Sequence, residues 1–171
     1  MTWGHRGLSL LALLIGALVG ACALVPEGDS LSGAVEPGGG IVIGRGQFAD
    51  GTEWSVMTKR EGANVCTEAV IGGRSQGSGC TTLAGNGLGG WGSSSGSGVP
   101  TVMEGFFDLT VAAIRIEATD GVHDMPLVPM AGLGLPGGGF GFALPAGIEP
   151  VALVTLDASG AVIERHELRR P

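Results

Sequence analysis

The 171-residue chain has no tyrosine, only 5% aromatic residues, a single lysine beside eight arginines, and only 15% charged residues. Each shortage removes a class of answer. Low charge combined with 44% hydrophobic residues excludes a highly charged disordered chain, because enough apolar surface is present to be buried. Nine basic residues against sixteen acidic ones give a net charge of -7. That is the wrong sign for a partner held through phosphate neutralisation, so no nucleic-acid partner is expected. Scarce aromatics argue against a carbohydrate surface, where sugar rings stack on such side chains. There is no Cys-x-x-Cys, no H-E-x-x-H and no EF-hand loop, so no metal or cofactor is expected. Helix-forming runs are missing after the first 22 residues, where 34 Gly and 9 Pro in the whole chain work against helices. The glycines keep no three-residue period, which excludes collagen.

What is present begins with the leader. Arg6 closes a short basic n-region, and Leu8 to Val19 is an uncharged apolar stretch of twelve residues. That is the length of a signal-peptide h-region and short for a membrane span. It ends in Val19-Gly20-Ala21-Cys22. A small residue before the cut and a cysteine after it resembles the lipobox of bacterial lipoproteins. The resemblance implies cleavage before Cys22 and lipidation of its thiol, which would fasten the chain to the extracytoplasmic face of the cell membrane. Two other readings use the same residues. The uncharged stretch from Gly7 to Pro26, twenty residues, could serve as an uncleaved anchor, and cleavage after Ala21 or Ala23 would release a soluble protein. All three export the remainder.

The expected division is therefore a signal peptide over 1–21, a tether over 22–40 and a β-rich domain over 41–171. The tether carries Glu27, Asp29 and Glu36 among Pro, Gly and Ser and lacks hydrophobic periodicity, as flexible linkers do. With Cys22 assigned to lipid, Cys66 and Cys80 form an even pair, and in an oxidising compartment one disulfide is the simplest outcome. Closing a loop of about 15 residues contributes roughly 3 kcal/mol on the chain-entropy model.

The domain reads as short strands between turn signals. Ile41–Gln47, Thr52–Arg60, Asn64–Ile71, Val99–Phe107, Leu109–Ala118, Val122–Val128, Phe140–Leu144, Val151–Leu156 and Ala161–Leu168 are the candidates. Trp54, Val56 and Thr58 alternate with polar residues, as do Ile114 and Ile116, the pattern of one buried face. Ala49-Asp50-Gly51, Asp120-Gly121 and Asp157-Ala158-Ser159-Gly160 are turn chemistry. The stretch Gly72–Gly98, with 11 glycines in 27 residues, reads as loop, and Val162–Arg170 could alternatively be a short helix. Eight or nine short strands at this spacing predict an all-β fold, an antiparallel β-sandwich or barrel. The half from Gly105 to Gly160 resembles β-rich modules of exported proteins from high-GC bacteria, a source that the Arg excess fits. That resemblance implies no activity.

Possible chemistry is sparse. Gly73-Arg74-Ser75-Gln76-Gly77 matches the G-x-S-x-G elbow of serine hydrolases, but Gly92 to Gly96 matches as well, and the elbow also needs a following helix and a parallel sheet. G-x-G-x-x-G occurs from Gly85, Gly87 and Gly132 without the strand–helix context that phosphate binding needs. Asp120, His123 and Asp124 could hold a divalent ion or make a plain polar turn; His166 between Glu164 and Glu167 is similar. Trp91 either folds back on the domain or faces a partner. These residues lead to a lipid-anchored, non-enzymatic binding or envelope-interaction module. The alternative is a small exported hydrolase or metal-dependent enzyme using Ser75 or the Asp120/His123/Asp124 cluster.

Overall fold

A computed structural model describes residues 36, 38–82, 89–96 and 98–168. The leader, Cys22 and most of the tether lie outside the described residues. Four strands, β1 (Gly40–Gln47), β2 (Glu53–Glu61), β3 (Asn64–Ile71) and β4 (Arg74–Thr82), form the first antiparallel sheet in chain order. The alternation of Trp54, Val56 and Thr58 holds: all three are buried while Glu53 and Lys59 face solvent. Thr58 lies buried because its hydroxyl donates to the Cys66 carbonyl at 3.1 Å, which removes the cost of an unpaired polar group.

Strands β5 (Gly89–Gly96), β6 (Val99–Phe107), β9 (Val128–Pro129) and β10 (Gly138–Leu144) make a second sheet in the order β5-β6-β10-β9. Strands β7 (Ala113–Ala118), β8 (Gly121–Pro126), β11 (Pro150–Leu156) and β12 (Val162–Glu167) make the third, in the order β12-β11-β7-β8. Among the described residues the fold is all-β, as expected, with three antiparallel four-stranded sheets.

The second sheet lies between the other two and buries both faces. Toward the first sheet it presents Val102, Phe106 and Ala143, which join Ile41, Ile43, Val56 and Val65 in one core. Toward the third it presents Met103, Phe107 and Phe140, which join Ile114, Ile116 and Leu153 in another. The period-two geometry of a strand sends alternate residues to opposite cores. Small residues on β10 decide how near the first sheet comes. A Cβ on Gly44 of β1 would stand 1.8 Å from the Gly141 carbonyl oxygen, and a Cβ on Gly141 would stand 2.4 Å from that of Val56. Two backbones thus touch without side chains between them. On the other face, the Phe140 ring fills the space over Gly105 on the neighbouring strand. Phe142 belongs to the margins of both cores; it meets Trp54 edge-on at 5.9 Å and His123 at 5.0 Å.

Several expectations need correction. Gly72–Gly98 is not simply loop: it contains β4 and β5. Glycine and serine have low strand propensity, but main-chain pairing needs no side chain. β4 is held along β3 from Asn64↔Thr82 to Ile71↔Arg74, and β5 along β6 from Gly89↔Phe107 to Gly96↔Val99. Leu109 opens no strand. The Asp108 carboxylate accepts from the Thr110 amide at 2.8 Å and from its hydroxyl, making a turn that leaves Leu109 82% exposed and delays the strand to Ala113. Val122–Val128 divides at Leu127, with β8 pairing β7 in the third sheet and β9 pairing β10 in the second. The strand expected over Ala161–Leu168 is observed as Val162–Glu167 in place of the alternative helix, because the open edge of β11 supplies its hydrogen-bond partners.

Candidate functional site

At one margin of the sandwich the edge strand of the second sheet, β5, faces the edge strand of the third, β12. Between them lies a cleft of about 600 Å³, within the range of small-molecule sites. Trp91 of β5 forms one wall. Its indole is half-buried, packs on the core shared by the second and third sheets, and lies 6.2 Å from the His166 ring at a 55° tilt. Of the two readings of Trp91, the fold-back is therefore the one observed, although the ring still lines open space. His166 and Glu164 come from β12, with Nε2 of His166 3.3 Å from the Glu164 carboxylate. They share a face because they are two residues apart on a strand.

A β-bulge shapes this wall. Thr155 pairs with Glu164 and Leu156 with Val162, so Ile163 is an extra residue in β12. Bulges re-aim side chains, and Ile163 lines the cleft beside its neighbour Glu164. Phe107, Val111 and Thr155 also line the cleft, as do Asp108 and Thr110 of the turn before β7. The two hydrogen bonds from Thr110 hold the Asp108 carboxyl below its ordinary range, the hydroxyl having the larger effect.

The other residues singled out in the sequence are placed elsewhere. Cys66 and Cys80 sit directly opposite on β3 and β4 and are joined by a disulfide. The Glu61 carboxylate lies 3.6 Å from Cys66 Sγ, but both sulfurs are consumed in the bond, so this trio offers no thiolate to a metal. Ser75 is exposed on β4, two residues past the Gly72-Gly73 turn, and the chain continues as strand. An elbow needs a helix there.

The Asp120/His123/Asp124 cluster is divided by the strand geometry. His123 Nε2 lies 3.0 Å from Asp120, on the side facing Phe142. Asp124 belongs to the opposite face, where Arg115 holds it through two contacts of 2.7 and 2.9 Å. The guanidinium keeps the Asp124 carboxyl below its ordinary range.

That outer face of the third sheet carries an ionic ladder. Arg165 grips Glu117 with both terminal nitrogens and reaches Glu167 at 2.7 Å through Nε. Arg115 and Arg165 stand on either side of Val154, which is 2% exposed. Long stems that cover an apolar residue while their heads stay wet explain this burial. The ladder is spent on itself, whereas the cleft side chains face open volume.

Comparison with protein-family models, with curated proteins and with solved structures finds no match. The functional argument therefore rests on geometry. Sequence reading singled out Trp91 and His166 separately but missed their meeting. The available signal was weak: one ring in a glycine stretch and an imidazole among carboxylates.

Proposed function

We propose that the chain is an exported lipoprotein, fastened through Cys22 to the extracytoplasmic face of the membrane, whose β-domain is a binding or envelope-interaction module. The binding half is carried by the cleft between β5 and β12, where an aromatic wall, a bulged strand and a turn-locked carboxylate meet on two sheet edges. Sites built on strands hold their side chains better than sites on loops. Export is supported by the leader pattern and by the Cys66–Cys80 disulfide, a bond that persists in oxidising compartments.

The test fractionates cells making the wild-type chain and Cys22→Ala, with mass spectrometry of the mature N-terminus. The wild type is expected in the membrane fraction with diacylglycerol on Cys22; the variant is expected to lose both processing and lipid. An unmodified Cys22 in the mature protein overturns the anchor. Labelling of Ser75 by a fluorophosphonate probe would overturn the non-enzymatic reading, since only an activated serine reacts.

A further inference from the structure

We propose that the cleft between β5 and β12 recognises a small organic cation: an amine or quaternary ammonium group on an apolar stem. This inference rests on the binding-module reading above and names the ligand chemistry of that same site. The first argument is charge. Asp108 and Glu164 line the cleft, and no Lys or Arg does so among the described residues. The one basic ring in the lining, His166, lies 3.3 Å from the Glu164 carboxylate, so an anion entering there would meet two carboxylates against one imidazole already placed beside one of them.

The second argument is the direction of the hydrogen bonds. The Thr110 hydroxyl already donates to Asp108, and the Thr155 hydroxyl points to the Glu164 carbonyl at 3.4 Å. Neither hydroxyl proton is therefore free for a ligand, and the carboxylates of Asp108 and Glu164 stand in the lining beside two donor-bearing rings, Trp91 and His166. A ligand that brings donors, or a diffuse positive charge, complements such a surface.

The third argument is the aromatic wall. Trp is the best of the aromatic side chains at holding a cation over its face, and Trp91 is the one described Trp that lines this volume. Trp54 is instead 9% exposed in the other core. Beside Trp91, Val111 and the re-aimed Ile163 supply apolar surface for a stem. The turn that fixes Asp108 and the bulge that fixes Ile163 set this geometry before a ligand arrives, which lowers the ordering cost of binding.

The experiment uses the full chain in non-ionic detergent micelles and follows tryptophan fluorescence at constant ionic strength. The probes are cadaverine and tetramethylammonium, with acetate and N-acetylglucosamine as controls. A saturable change is expected with the two cations and with neither control. Trp91→Phe is expected to remove the signal. Glu164→Gln, at an exposed position on the edge strand β12, is expected to weaken binding about fivefold, the effect of one partly exposed charge contact. Asp120→Asn, outside the cleft, is expected to leave it unchanged. No saturable response to either cation, or equal affinity in Glu164→Gln, overturns the inference. Saturation by N-acetylglucosamine alone removes the cation and leaves the binding module standing, while the anchor is scored separately by fractionation.

Discussion

Replacing Gly44 by alanine isolates the contact on which the packing of the first sheet depends. The new Cβ would lie 1.8 Å from the Gly141 oxygen, 2.5 Å from its carbonyl carbon and 2.9 Å from its Cα. All three are backbone atoms, so no rotamer change relieves the clash. Restoring ordinary contact at 3.4 Å requires the sheets to part locally by about 1.6 Å, which loosens Ile43 and Val56 beside it and forfeits much of their dispersion energy. Overpacking a core typically costs about 1–3 kcal/mol, and a clash between two backbones belongs at or above the top of that range. For a domain of this size, roughly 3 kcal/mol lowers Tm by about 10 °C or more. Circular dichroism during thermal unfolding reads the shift. Gly79→Ala is the control: it lies on exposed β4 with no atom within 4 Å of the added carbon, and its Tm is expected within about 2 °C of wild type, as for ordinary surface changes. If Gly44→Ala also unfolds within about 2 °C of wild type, the close approach of the two backbones does not hold the sheets together and the packing argument is wrong.

Two further outcomes follow from the same structure. Cys66→Ser with Cys80→Ser is expected to lower unfolding stability by about 3 kcal/mol on the loop-entropy model, read from denaturant midpoints; a loss below about 1 kcal/mol would show that β3–β4 pairing holds β4 without the covalent bond. Acid is expected to destabilise the domain, because folded-state carboxyls are held below their ordinary pKa: Asp157 by the Ser159 hydroxyl and then the Ala161 amide, Asp124 by Arg115 and Glu117 by Arg165. A depressed folded pKa contributes stability that is present above the unfolded value, near 4, and is lost as pH falls through the folded value. Tm should therefore hold from pH 7 to about 5 and fall below about 4, with a shallower fall in Asp157→Asn. A Tm that stays level down to pH 2 would show that these contacts do not couple to folding.

The legibility of the domain differed from element to element for physical reasons. Val151–Leu156 was visible as a strand because only Thr155 breaks its apolar run, and β11 is buried along most of its length. The Asp50 and Asp157 turns were visible because a carboxylate two residues before a backbone amide closes the turn locally, as the 2.8 Å bonds to Thr52 and Ser159 do. Asp108 uses the same device with Leu109 between, and it escaped notice because no glycine marks it. β4 and β5 escaped for a different reason: their side chains carry almost no pattern, and the information resides in the strands they pair with.

Composition and short-range pattern thus determined the class of fold, the turns, the inward faces of β2 and β7, and the partnership of Cys66 with Cys80. Those features depend on each residue's own hydrophobicity and conformational preference, or on neighbours a few positions away. The tertiary structure alone decided that the second sheet lies between the other two, that Gly44 meets Gly141 across 97 positions of chain, and that Trp91 meets His166 across 75. Such meetings depend on how twisted sheets stack and which edges come together, a property of the whole packed arrangement that no local window of sequence contains.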